Sequence, residues 1–312
     1  MKQLNVIIAT YNRAGMLERT LRSLFAADRP ANLRVDITVV DNNSNDNTRE
    51  VVERWQKDFG ESLAYLLEQQ QGKPYALNAG IKATSGELVG MIDDDEEVEK
   101  SWLTRIESAF DDDTIDFIGG PYHPRWGAEI PAWLPKDYLG VIGWVDGGDQ
   151  VIAYDENYPG TLMGGNAVIK RKMFDQVGLY STVLNRTGER LLAGEDEDMY
   201  RRLLAVKARG LYLPDLIIYH YVPPERLTKQ YYRRWCFWRG VSCGLMDRER
   251  REPVAYLCGI PRYLYGRAMR GAAKRMRETF GSNAAQSFSG ELAVWDLAGF
   301  FYGKHFYDST TN

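Results

Sequence analysis

The chain is poor in the residue types and patterns that mark several common function classes. Its 312 residues hold only three cysteines, Cys236, Cys243 and Cys258. The count is odd and no pair has the two-residue spacing of a redox or zinc site, so a disulfide framework and a cysteine zinc knuckle are both excluded. The three read as small buried thiols in a reducing cytosol. No apolar run approaches the ~20 residues needed to cross a bilayer. The N-terminal Met1 to Ile8 turns polar after Thr10 and reads as a strand, not a secretory leader. The Asn-x-Ser/Thr matches at Asn42 and Asn185 then carry no meaning. A basic excess is missing too: 39 Lys and Arg against 43 Asp and Glu leave a net charge of −4, which excludes a dedicated nucleic-acid binder. There is no Gly-x-Gly-x-x-Gly or Gly-x-x-x-x-Gly-Lys. A dinucleotide-binding dehydrogenase and a P-loop protein fall with them.

What remains is a globular chain of ordinary composition, 44% hydrophobic and 26% charged, and of a length that suggests about two units. Its charge is split. Residues 225–280 hold 14 Lys and Arg against 5 Asp and Glu, a local +9, so the rest sums to −13. The first hundred residues alternate strand and helix signals. Leu4–Ala9, Val35–Val40, Leu63–Leu67 and Glu87–Ile92 are short apolar runs. Between them, Met16, Leu17, Leu21, Leu24 and Phe25, then Val51, Val52 and Trp55, then Ala76–Ile81, recur at helical spacing. Such alternation predicts an α/β fold with a mostly parallel sheet flanked by helices. Ligands bind beyond the carboxyl ends of such strands, where Thr10–Arg13, Asp41 and Asp93–Asp95 fall. Further on, a helix is expected over Glu195–Arg209, with Met199, Leu203, Leu204 and Val206 as its apolar stripe, and a closing strand over Leu211–Tyr219. Past Pro223-Pro224 the chain turns basic and aromatic.

Two acidic runs carry the chemistry. Asp93–Glu96 directly follows a buried strand, where adjacent carboxylates repel unless a cation neutralises them. Mg2+ or Mn2+ held with substrate phosphates suits such a turn, and a solvated helix start is the alternative. Glu195–Asp198 opens a helix, either as first-turn charge or as the source of a general base.

At this point the motifs resemble those of the family 2 glycosyltransferases. The matching segments are Val6-Ile7-Ile8-Ala9-Thr10-Tyr11-Asn12-Arg13, Val39-Val40-Asp41-Asn42-Asn43-Ser44, Ala76-Leu77-Asn78-Ala79-Gly80-Ile81, Met91-Ile92-Asp93-Asp94-Asp95 and Gly194-Glu195-Asp196. The resemblance covers roughly residues 3–222. It implies a GT-A (Rossmann-like) catalytic domain over 1–224, with a nucleotide-sugar-binding half (1–98) and an acceptor-binding half (99–224), followed by a basic, aromatic helical extension (225–312). It also implies inverting, non-processive transfer from a nucleotide-diphosphate sugar, UDP-linked by preference, to a saccharide or lipid-linked saccharide. Carried over by position, Thr10, Tyr11, Asn12, Arg13, Asp41, Lys73, Asp93 and Asp94 would bind the donor. Asp95 and Asp93, with His220 at the end of the last strand, would hold Mn2+ or Mg2+. Asp196 would be the general base; Asp198, two residues on, points to another face of the helix. Glu195, Gly165 and Asn166 would meet the acceptor, the missing side chains of Gly164-Gly165 letting substrate approach the backbone. Trp126, Trp133 and Trp144 either stack on sugar faces or pack a core. A catalytically inactive binding module of the same fold, or another metal-dependent nucleotidyl or phosphoryl transferase, fits the same motifs less completely.

Gln230-Tyr231-Tyr232-Arg233-Arg234-Trp235 resembles the Gln-x-x-Arg-Trp motif of processive synthases but has one extra residue. Arg233 or Arg234 would face donor phosphate or acceptor. Arg267, Arg270, Lys274 and Arg277 fall within an arc of about 80° on one helix, with Leu257, Leu264, Ala268, Ala272 and Met276 on the wider remaining surface. Leu292–Phe306 is aromatic-rich. Together they suggest a cytoplasmic protein able to lie peripherally on the anionic inner face of the cell membrane.

Overall fold

Near-continuous β-branched runs build the central sheet. In the computed structural model, which describes residues 1–183, 194–249, 251, 253–278 and 284–307, β1 (Lys2–Thr10), β2 (Leu33–Asp41), β3 (Leu63–Leu67) and β4 (Leu88–Asp93) alternate with α1 (Ala14–Ala26), α2 (Thr48–Phe59) and α3 (Lys73–Ala83). Both faces of β1 are covered, and Val6, Ile7 and Ile8 are fully buried, which is why the strand reads as an unbroken apolar run. On α1 the buried positions Leu17, Leu21 and Leu24 recur every three to four residues, the spacing of one helical face.

The chain continues through β5 (Glu96–Val98), α4 (Trp102–Ala109), β6 (Phe117–Gly119), β7 (Tyr122–Trp126), β8 (Ile152–Tyr154), β9 (Ala167–Lys170), α5 (Arg171–Val177), α6 (Glu195–Ala205), β10 (Gly210–Tyr212) and β11 (Ile218–Val222). Eight strands form one sheet in the order β3-β2-β1-β4-β9-β6-β10-β8. The four N-terminal strands are parallel, and β9 runs antiparallel between β4 and β6. Register aligns the carboxyl ends: Thr10 lies opposite Asp41, and Ala9 opposite Asp93. A smaller sheet, β5-β11-β7, sets His220 opposite Glu96.

The described residues form two compact units, one of 1–124, 145–183 and 195–221, the other of 125–144, 194 and 222–307. The second contains α7 (Lys229–Glu249), α8 (Arg262–Glu278) and α9 (Ala284–His305), with α9 packed against both of the others.

Several expectations need correction. The strand expected over Leu211–Tyr219 is two strands in different sheets, because Pro214-Asp215 turns the chain between them. The helix expected to reach Arg209 stops at Ala205, where Lys207 adopts φ 58° and Val206 is left exposed. Cys258 is exposed, not buried. Trp126, Trp133 and Trp144 belong to the core of the helical unit. Trp126 meets Trp144 edge-on at 5.8 Å, and Trp133 meets Tyr232 and Phe288 at 5.5 and 5.2 Å. On α8 the buried residues are Leu264, Ala268 and Gly271, while Met276 points outward and Arg267 pairs with Asp296. Leu257 lies in a short hairpin before the helix. Arg233 is held by Glu291 at 2.5 Å. Asn185 and the side chain of Arg277 lie outside the described residues.

Candidate active site

The first loop is tied to its neighbours by short polar side chains. Thr10, the last residue of β1, donates its hydroxyl to Asp94 Oδ2 at 2.8 Å. Asn12, at φ 53°, accepts the backbone N–H of Asn45 and donates its own to Ser44 Oγ. Tyr11 is exposed beside it. Arg13 Nη1 reaches Asp94 Oδ1 at 3.0 Å and Asp95 Oδ2 at 3.2 Å. Asp41, buried at the end of β2, accepts the Ser44 N–H and the Tyr65 hydroxyl.

The acidic turn after β4 does not stand against water. Burial pushes the Asp94 pKa up to about 6, an effect that Arg13 partly offsets. Lys73, at the start of α3, pairs with Asp93. Burial disfavours its ammonium, but Asp93, Asp196 and Glu195 outweigh that, and its pKa lies above the usual lysine range. The proximity of those charges sets Lys73 between the two acidic runs. The cation that the sequence demands for Asp93–Glu96 is therefore partly supplied by the chain itself.

Glu96 was not singled out by sequence reasoning, yet it is fully buried. Its Oε2 accepts the Asp93 N–H at 2.8 Å and closes the turn, while Oε1 has no hydrogen-bond partner. Burial, then Asp93 and Asp95, push its pKa well above the carboxylate range. Carboxylate oxygens of Asp93, Asp95 and Glu96 lie within 4.8 Å of one another. Oxygen ligands at that spacing, one of them a buried orphan, fit a hard divalent cation. His220 Nε2 stands 3.6 Å from Asp95 Oδ1, beside this group and outside the three-carboxylate cluster. Tyr122, whose buried hydroxyl also has no hydrogen-bond partner, lies in the field of Glu96, Asp93 and Asp196.

Asp196 opens α6. Its residue is partly exposed, but Oδ1 is shielded and has no hydrogen-bond partner. Burial, reinforced by Glu195, lifts its pKa to about 7, against the pull of Lys73 and the Gly164 amide. Glu195 is buried beside it. Gly164 and Gly165 are empty for a reason other than substrate approach. A Cβ at Gly164 would lie 2.1 Å from Asp196 Oδ1, and one at Gly165 would lie 2.5 Å from both Glu96 carboxylate oxygens. Asn166, expected on the acceptor side, is wholly buried with its amide spent. It accepts Trp102 Nε1–H at 2.9 Å and donates to the carbonyls of Pro121 and Leu216. It braces the turn. Thr10, Arg13, Lys73, Asp93–Glu96, Gly164–Gly165, Glu195, Asp196 and His220 thus converge on one end of the sheet.

Related chains are known. Over 254 residues, 78% of this chain and 77% of the other, it is 26% identical to the glucosyl-dolichyl phosphate glucuronosyltransferase of Haloferax volcanii. Over 249 residues (79% and 76%) it is 24% identical to the succinoglycan biosynthesis protein ExoM of Rhizobium meliloti. Among solved structures, the mannosyltransferase PcManGT from Pyrobaculum calidifontis, in complex with GDP-Man and Mn2+, superposes with a TM-score of 0.63 at 19% identity. That superposition covers 98% of this chain and 88% of that one, which shows the GT-A fold. Residues 5–178 match the family described as glycosyl transferase family 2. With the match spanning more than half of its length, the chain belongs to glycosyl transferase family 2 and is a glycosyltransferase.

Proposed function

We propose that the protein is an inverting, non-processive glycosyltransferase that moves a sugar from a nucleotide-diphosphate donor, UDP-linked by preference, to a hydroxyl of a saccharide or lipid-linked saccharide. The observation that carries this reading is Asp196: a shielded carboxylate oxygen without a hydrogen-bond partner, next to Lys73 and the Asp93 turn. A general base needs a lone pair not already committed to a hydrogen bond and a pKa near the working pH, and Asp196 has both. Its carboxylate accepts the proton of the acceptor hydroxyl as that oxygen bonds to the anomeric carbon. The bond from that carbon to the diphosphate breaks in the same displacement, its electron pair leaves on the diphosphate, and the configuration inverts.

Thr10, Tyr11, Asn12, Arg13 and Asp41 line the donor side within residues 1–98. Arg13 and Lys73 hold positive charge where the diphosphate would lie, and Lys73 also keeps Asp93 and Asp196 from repelling each other. Asp93 and Asp95, with Glu96 behind them and His220 alongside, would hold Mn2+ or Mg2+, which when bound offsets the charge of the leaving diphosphate. Glu195 lies beside the base for acceptor hydroxyls in residues 99–224. The lipid-linked class of acceptor is supported by the dolichyl phosphate named in the Haloferax relative, and it agrees with a protein working on the cytoplasmic face of a membrane. A thermal-shift screen of nucleotide sugars with and without Mn2+, followed by NMR of the product anomer, tests the reading. A retained anomeric configuration, or transfer that survives Asp196→Asn, overturns it.

A further inference from the structure

Along α9 the charged residues are paired inward and one face is aromatic. From Leu292 to Gly303, α9 carries one charged residue, Asp296, and it is buried. Arg239 grips it at 2.6 Å and Arg267 at 2.8 Å. At one end Glu291 is bound by Arg233 and Arg275; at the other, Lys304 is bound by the buried Asp247. The outward positions are Val294, Trp295, Ala298, Phe301, Tyr302 and His305, with Phe306 just past the helix end. Their spacing traces one stripe along about 17 Å of helix. Trp295 is 40% exposed, Phe301 44% and Phe306 64%.

A surface helix in water buries an apolar stripe, as α9 does with Phe288, Leu292 and Phe300, but leaves charged and polar residues on its outer face, which α9 does not. Ion pairs turned to the interior and aromatic rings turned out are what a lipid-facing helix requires, because an unpaired charge is costly there. The helix packing agrees. Gly240 and Gly244 of α7 meet Gly299 and Gly303 of α9 so closely that a Cβ at Gly299 would lie 1.9 Å from the Phe237 carbonyl. Bringing backbones together through small residues leaves the large side chains of α9 on the outside. Among the described residues no helix is long and apolar enough to cross a membrane. A stripe of this kind therefore lies in the interface, where Trp and Tyr rings settle at headgroup depth.

We propose that this face of α9 docks on an anionic lipid bilayer, its aromatic rings entering the headgroup region. Charge complementarity selects the bilayer over a second copy of the chain. Residues 225–280 carry +9, and α8, which packs on α9, presents Arg262 and Arg270 with Met269 and Met276 at its exposed positions. Two such basic units repel each other, whereas both attract anionic headgroups. The contact differs from one made by the basic arc of α8 alone, since Arg267 of that arc is committed to Asp296.

Flotation of the full chain with phosphatidylcholine vesicles, with and without phosphatidylglycerol, tests the surface. It is run without donor or metal, so it stands or falls apart from the transfer reaction. The protein floats with the anionic vesicles, and Phe301→Ser/Phe306→Ser weakens binding at least about tenfold, the scale expected for two rings withdrawn from lipid. Both sites are exposed, and unchanged circular dichroism confirms that the variant folds. Brominated lipid quenches part of the tryptophan emission, and Trp295→Phe removes that part while still floating. Failure of the folded wild type to float, equal binding by the double variant, or light scattering that shows a dimer dissociated by the same two changes overturns the proposal.

Discussion

Gly164 backs directly onto the Asp196 carboxylate: a Cβ on Gly164 would lie 2.1 Å from Asp196 Oδ1. The glycine is thus a seat for the base. Gly164→Ala must push Asp196 aside. Displacements on the order of 1 Å cost about a hundredfold in rate, so kcat falls by about that factor while donor KM stays near wild type. Steady-state kinetics with saturating donor check this.

Asp196→Asn keeps the shape of the site and removes the base. We expect transfer to fall by at least about 10³-fold, within the range that general-base catalysis supplies, with nucleotide affinity changed little. The same variant reports the carboxylate's cost to folding. With its pKa lifted from 3.8 to about 7, folded Asp196 keeps a proton that the unfolded chain has already lost, so its contribution to stability falls as pH rises through that window. The asparagine side chain has no such proton to lose. Relative to wild type, the variant therefore gains about 2–4 kcal/mol between pH 4 and pH 7, read from urea titrations at both ends. A constant difference across that range would remove the elevated pKa from the account.

Lys73 lies in the field of Asp93, Glu195 and Asp196 together. Lys73→Met takes away the positive charge that holds the Asp196 pKa down. The acidic limb of kcat/KM against pH should then move upward, by about one unit or more for a close partner charge. A drop in rate without any shift of the limb would confine Lys73 to binding donor.

Which parts of this were legible in advance follows from the range of the forces involved. β1, β4 and the second half of β2 are covered on both faces, so their residues form apolar runs visible without any partner. The polar rim at Thr10, Asp41 and Asp93 follows from where those runs end. Glu96 was not legible: it continues an acidic run, and only the fold shows that it sits under Gly165 with one oxygen unpaired. The bracing role of Asn166 is hidden for a similar reason. A Gly-Gly-Asn turn suggests an open backbone, whereas its partners Trp102, Pro121 and Leu216 lie 45 to 64 residues away. The stripe on α9 was visible as composition, but not its direction, which depends on how Asp296 is paired. Pro214-Asp215 is the turn signal that divides the apolar run.

Asn166 supplies the clearest stability prediction. Its side chain satisfies three buried groups: the Trp102 indole N–H and the carbonyls of Pro121 and Leu216. Trp102 is itself fully buried, so in Asn166→Ala its N–H finds no water to replace the amide. An unsatisfied buried polar group costs about 1–3 kcal/mol, and the three share one cavity, so we expect a total loss of about 3–5 kcal/mol. Asn166→Asp keeps the acceptor for Trp102 but turns the donating end into a second acceptor facing two carbonyls, and should be no better than alanine. Had Asn166 been an acceptor ligand, the alanine variant would keep its melting temperature and raise only the acceptor KM. Thermal unfolding of both variants, beside acceptor titrations on whatever folded protein remains, separates a brace from a binding group.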